Sequence, residues 1–373
     1  MSRFRVVICG GGIAAAEGLL RLRALAGDAL DITLVSAEAE LRYRPVAVQE
    51  PFSRPAAQRY RLDRIARRAG AELVNGSVER VDVDTQEVHT TEGGTLPYDA
   101  ALVAVGARAY SALEHATVFD DAHADDTYRG LVQDVEGGYT RSVALIVPEG
   151  PAWPLPVYEL ALMTAERAAS MGEEGAGVVL ITPEPAPLAA FGEEASRAVA
   201  NLLERARIQV HTGATAEVPE PRRVVLQPGG EELSPERVVA LPELRGPGLR
   251  GLPSDSAGFV PIDDRCLVPG TAERVFAAGD AADFPIKHGG LGAQMADVAA
   301  AGIATFAGAD AGDGPARLEP VIHGVLYTGE EPLYLIARVR DGKMESEVRS
   351  DRPWPADEKV HAEELGPLLR ELA

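Results

Sequence analysis

The chain is short of cysteine, of lysine and of long apolar runs, and each shortage removes a class of function. Cys9 and Cys266 are its only cysteines. Two such residues cannot build a disulfide framework, they form no CxxC pair, and they leave little for a zinc site, so no metal is expected. Lysine occurs only at Lys287, Lys343 and Lys359. Arginine supplies the remaining positive charge, as GC-rich coding would produce. The most apolar segment, residues 298–307, falls short of the roughly 20 residues that span a bilayer. No basic stretch followed by an apolar one marks a signal peptide. The expected location is therefore the cytoplasm, without integral membrane contact. Acidic residues outnumber basic ones, giving a net charge of −21. Such a surface favours solubility and repels nucleic acid and anionic lipid.

What is present is apolar material in βαβ order. Hydrophobic residues make up 46% of the 373, enough for two cores. Residues 4–9 read as a buried strand, 13–26 as a helix and 31–35 as a second strand. This is one βαβ unit of a parallel sheet. A helix is expected over 61–69, a hairpin arm over 79–90 turned by Gly93-Gly94, and a strand over 100–105. The pattern then repeats: strand 142–147, helix 157–170, strand 177–182, helix 193–207 and strand 208–211. A strand at 274–278 and a helix at 291–306 follow. The tail has strand-like pieces at 324–327 and 333–339 and an acidic helix near 356–372. The implied fold is α/β, with two Rossmann-like, three-layer dinucleotide-binding domains. The second (111–250) is inserted between the halves of the first (1–110 and 251–315), and 316–373 form a small C-terminal α+β segment.

Gly10-x-Gly12-x-x-Ala15 directly follows the first strand and opens the first helix. Gly10 permits the tight turn, Gly12 lets a pyrophosphate approach the backbone, and Ala15 keeps helix and strand close. The helix N-terminus, at Ile13 and Ala14, offers free N–H groups and a positive dipole end. At the end of the second strand Ser36 holds the usual place of a ribose-binding acid, so Glu38 is the candidate. A second motif runs from Ala272 to Asp283, where an apolar strand ends in Gly279-Asp280. A carboxylate there can accept hydrogen bonds from a polyol.

Together, residues 10–15, 98–106 and 275–280 resemble the FAD-dependent pyridine nucleotide-disulfide oxidoreductase family. Residues 285–294 resemble the branch with type-2 NADH dehydrogenases and sulfide:quinone oxidoreductases. The resemblance implies that Gly279 and Asp280 contact the FAD ribityl and phosphate region, and that Gly106 closes over the cofactor. It sets Gly290, Leu291 and the helix N-terminus near the flavin pyrimidine edge, where a helix dipole stabilises negative charge. Lys287 and His288 are candidate catalytic residues that would add to it.

The nicotinamide half departs from the family. Where a second glycine fingerprint is expected, residues 147–159 hold one glycine, four prolines, Glu149 and Trp153. Proline removes N–H donors and stiffens the loop. Glu149 would repel a phosphate, and Glu184 alone is left to hold a ribose. NAD(P)H is therefore left open as a cosubstrate. Tyr43, Pro45, Trp153 and Tyr158 are instead expected to shape a substrate pocket. Neither cysteine stands where the family's redox cysteines stand, so both are expected to be inert. The acidic tail, with Asp357, Glu358, Glu363, Glu364 and Glu371, fits packing on the protein or in a homodimer better than an anionic membrane. The reading is two-electron transfer through FAD to a small soluble acceptor or quinone. An NAD(P)H-dependent reductase and a non-catalytic redox sensor are the alternatives.

Overall fold

A computed structural model describes residues 3–54, 57–121, 123–173, 175–309, 316–340, 343–354 and 359–373. In chain order the main elements begin with β1 (Phe4–Cys9), α1 (Ile13–Ala26), β2 (Leu30–Ser36), β3 (Glu72–Asn75) and β4 (Ala100–Val103). Then come β5 (Thr117–Val118), α2 (Ala124–Glu136), β6 (Ser142–Ile146), α3 (Leu155–Ser170), β7 (Gly177–Ile181), α4 (Glu193–Arg205), β8 (Gln209–His211) and β9 (Arg237–Ala240). β10 (Val275–Ala277), α5 (Gly289–Phe306), β11 (Val321–Leu326), β12 (Leu333–Arg340), β13 (Lys343–Arg349) and α6 (Leu365–Leu372) complete the list.

Two five-stranded parallel sheets carry the molecule, in the orders β10-β4-β1-β2-β3 and β5-β9-β6-β7-β8. In the first, Val6–Cys9 of β1 and all of β4 are continuous apolar runs buried on both faces, as parallel strands covered by helices must be. α1 lies close to this sheet because Gly18 has no side chain: a Cβ there would stand 2.5 Å from Leu102 Cδ2. The chain leaves and re-enters this sheet along an antiparallel pair, Arg108–Tyr110 with Glu243–Arg245. β11, β12 and β13 form an antiparallel sheet.

Several elements depart from the sequence reading. Residues 79–90 are not one arm but two strands, Val78–Asp82 and Glu87–Thr90. The turn between them forms because Asp82 Oδ1 accepts from the N–H groups of Asp84 (3.0 Å) and Thr85 (3.1 Å), a side-chain turn without glycine. α2 was not anticipated, although Ala124, Tyr128, Val132 and Val135 bury one helical face. The C-terminal helix is shorter than expected. Asp357 and Glu358 lie outside the described residues, while α6 packs Leu365, Leu368 and Leu369 onto the protein's own first core. Among the described residues no helix is long and apolar enough to cross a membrane.

Candidate functional site

A cleft of about 1640 Å³ opens at the C-terminal ends of β1 and β4, between the two sheets. Its floor is the turn after β1. Gly10 takes φ +128°, and a Cβ there would lie 2.1 Å from the Ala104 carbonyl oxygen, so only glycine fits. At Gly12 a Cβ would meet nothing within 4 Å, because that side of the residue faces open space. No side chain caps α1, which leaves its first N–H groups to a ligand. Ile13 and Ala14 line the cleft, whereas Ala15 is fully buried and serves packing.

At one end of the cleft Glu38 is exposed. Ser36 is buried and fixes the turn that presents it: its Oγ accepts from the Glu38 N–H (3.1 Å) and donates to the Glu38 carbonyl (2.9 Å). Gly106 lines the wall at φ +76°. Further along, Gly279 (φ +69°) and Asp280 form a turn against the starts of both α1 and α5. A Cβ on Gly279 would stand 3.0 Å from Ala14 Cβ, and one on Gly292 would stand 3.0 Å from Gly279 Cα. The Asp280 carboxylate is half-buried and makes no hydrogen bond or ion pair among the described residues. Burial raises its pKa, against the pull of Lys287.

Lys287 is 6% exposed. Its amine donates to the Ala282 carbonyl and lies 3.7 Å above the Phe259 ring. Burial pushes it down to about 8, although Asp280, Asp283 and Asp255 favour the charged form. His288, also 6% exposed, behaves differently. Its Nδ1 accepts from the Leu291 N–H at 3.3 Å and caps α5. Burial, aided by repulsion from His323 and Lys359, pushes the ring down to about 3. Burial thus favours the neutral ring, which supplies a capping acceptor, whereas of the expected pair Lys287 is the one beside which three acids favour positive charge. α5 also begins at Gly289, two residues before the expected start. One side of its first turn borders the cleft. Gly289 and Gly292 line it; Gly290 and Leu291 are buried beside it, and the Leu291 N–H is already taken.

The expected substrate pocket comes together only in part. Pro45 and Trp153 line the cleft. The Trp153 ring packs 4.9 Å from His288 and 5.4 Å from Phe191, and the Pro151 carbonyl accepts from the Lys287 N–H at 3.0 Å. The proline-rich loop is thus stitched to the cofactor end of the cleft. Tyr43 packs on the first core, where its hydroxyl accepts from the Val360 N–H at 2.8 Å. Tyr158 is fully buried in α3 and donates to Glu184 at 2.8 Å. Glu184 also accepts from Thr182 Oγ1 (3.0 Å) and the Ala189 N–H (3.1 Å). The acid reserved for a ribose is therefore engaged by its own chain.

Among the cleft residues that local pattern does not single out are His323, Lys359 and Val360. Lys359 Nζ donates to both oxygens of Glu159 at 2.6 Å, in an ion pair 6% and 0% exposed. The rarity of lysine in this chain was the only signal for it. Both cysteines are fully buried, and burial pushes each thiol up to about 12, so neither is a thiolate near neutrality. Among the described residues no cluster is suited to a metal ion.

The cleft suits FAD. The glycine cradle, the uncapped α1 and the unpartnered Asp280 carboxylate fit its pyrophosphate and ribityl chain in that order.

Comparison with known proteins agrees. Residues 4–140 match the pyridine nucleotide-disulphide oxidoreductase family. An NADH dehydrogenase-like protein of Mycobacterium tuberculosis is 29% identical over 300 residues, covering 74% of this chain and 72% of that relative. The structure is similar to a sulfide:quinone oxidoreductase from Aquifex aeolicus, with a TM-score of 0.80 and 21% identity over 93% of this chain and 87% of that one. A ferredoxin reductase from Rhodopseudomonas palustris follows at a TM-score of 0.66 and 20% identity, over 90% and 82%. At these identities the solved structures speak to the fold.

Proposed function

We propose that this chain is an FAD-dependent oxidoreductase of the pyridine nucleotide-disulphide type that passes two electrons through its flavin to a small soluble acceptor or quinone, from a donor that does not occupy an ordinary nicotinamide dinucleotide site. The observation that carries the second half is Glu184, whose oxygens are engaged by Tyr158, Thr182 and the Ala189 N–H. FAD, when bound, supplies the two-electron redox centre. The chain supplies the surroundings. Gly10, Gly12 and the start of α1 would hold the pyrophosphate, Asp280 would accept from the ribityl hydroxyls, and Glu38 would hold the adenosine ribose. Lys287 adds positive charge beside that chain, while neutral His288 keeps α5 capped and oriented. Trp153 and Pro45 wall the side from which a substrate reaches the cleft and keep water from it.

A second reading, an NAD(P)H-dependent reductase with an unorthodox nicotinamide site, draws on the parallel βαβ order kept in the second sheet. It also draws on a cavity of about 360 Å³ beside Glu149, Pro183 and Gly213, and it matches the name of the mycobacterial relative. Anaerobic mixing with NADH and NADPH separates the two. Unbleached flavin with both nucleotides, followed by rapid reoxidation of the dithionite-reduced protein by quinones, is the expected result. Prompt bleaching by either nucleotide would establish the second reading. A reduced protein that no acceptor reoxidises would remove the catalytic proposal.

A further inference from the structure

Residues 359–373 form a strap from the cleft to α1. At its start Lys359 pairs with Glu159, and the Val360 N–H donates to Tyr43. Midway along, a buried side chain holds its backbone. Glu17 of α1 has no exposure, and its two oxygens accept from the N–H groups of Glu364 (2.9 Å) and Leu365 (2.7 Å). These groups lie at the start of α6, where backbone donors lack helical partners and the dipole favours an anion.

A second buried carboxyl faces this contact. Asp297 of α5 is 6% exposed, and its Oδ1 has no hydrogen-bond partner among the described residues. Arg21, one turn along α1 from Glu17, reaches Glu364 (3.1 Å) and Glu363 (3.7 Å), while its buried Nε has no partner among the described residues. The charged groups that act on Asp297 are thus Glu17 and Arg21 from α1 and Glu363 and Glu364 from the strap. With Asp297 itself, four carboxyls face one guanidinium. Two buried, adjacent carboxyls cannot both ionise cheaply.

We propose that this junction is a proton-dependent latch: a proton held on Asp297, beside Glu17, keeps the strap closed, and its loss loosens residues 359–373 and with them the Lys359–Val360 wall of the cleft. The inference rests on the packing of α1, α5 and the strap and does not depend on which donor reduces the flavin. Burial raises the Asp297 carboxyl to about 8, with Glu17, Glu363 and Glu364 adding to the effect and Arg21 opposing it. A carboxyl raised in the closed form and ordinary in the open form binds its proton only when closed, over the interval between the two values. Closure is therefore tightest in acid, weakens as pH climbs from the carboxylate range toward 8, and levels off above that.

Hydrogen–deuterium exchange of the FAD-bound protein from pH 5 to 9, corrected for intrinsic rates, tests the latch. Protection of strap peptides is expected to fall by up to about tenfold per pH unit below 8 and then flatten. Peptides from β1 and β4 should keep theirs. Asp297→Asn should abolish the slope, and Glu17→Gln should also flatten it while lowering protection at every pH. The latch is overturned by pH-independent strap protection in the wild type. A full wild-type slope in Asp297→Asn would overturn it as well, as would loss of β1 and β4 protection in parallel with the strap. Should the Asn variant fail to fold, the slope in Glu17→Gln decides.

Discussion

Replacing Asp280 by alanine interrogates the ribityl end of the cleft with little structural side effect. The carboxylate has no hydrogen bond or ion pair among the described residues, so its removal breaks no internal contact. The apoprotein should melt close to the wild-type temperature, the lost attraction to Lys287 being offset by relief of the carboxylate's own desolvation. What is lost is a charge-assisted hydrogen bond to the cofactor, about 1.5–3 kcal/mol. That corresponds to FAD binding weaker by about one to two decades. Lys287 is affected as well. Asp280 is the first of the three acids that favour its charge, so without it the amine falls further below about 8 and is partly neutral near neutrality. Asp280→Asn keeps an acceptor but no charge, and should lie between wild type and alanine. Titrating apoprotein with FAD while following flavin fluorescence gives the three dissociation constants. Equal constants for wild type and Asp280→Ala would mean that the polyol chain does not run past this turn. A large loss of apoprotein stability would mean that the carboxylate serves the fold instead.

Trp153→Ala should cost about 2 kcal/mol, roughly half the usual figure for a fully buried tryptophan, because the ring is half-buried. It should also change turnover or ligand affinity, since the ring lines the cleft against His288; unchanged kinetics would reduce it to a plug. His288 and His323 set an acid limit. Burial first, then neighbouring charges, lowers them to about 3 and about 4, while unfolded histidine takes up a proton near 6.5. The unfolded chain therefore binds more protons in that window, and stability drops as pH falls from about 6.5, by up to roughly 1.4 kcal/mol per pH unit for each ring. Urea midpoints measured from pH 7 to 4 should show this. His288→Asn, which keeps a capping acceptor, should lessen the slope, and an unaltered slope would contradict the assignment.

Much of the cofactor end was legible locally. A strand, three glycines and a helix in immediate succession can form only a tight turn with exposed N–H groups. The Gly279-Asp280 pair after an apolar strand is legible in the same way. Gly290 and Leu291 lie between Gly289 and Gly292, which stand three positions apart on one helix face and border the cleft, so their own side turns away from it. Tyr158 was assigned to the pocket because it is aromatic and near Trp153. The helical phase of α3 instead turns it into the second core, toward Glu184.

By itself, then, the sequence determined the βαβ units of the two parallel sheets, the glycine turn after β1 and the failure of the second glycine fingerprint, because each depends on residues within about 30 positions of one another. Tertiary structure alone decided the rest of the site. Glu159 and Lys359 stand 200 positions apart, and Glu17 meets Glu364 across 347. No local pattern encodes such pairs. In sequence a buried carboxylate in an amphipathic helix looks the same as a solvated one. Only packing, by stripping away its water, settles whether it needs a lysine, a helix end or a proton.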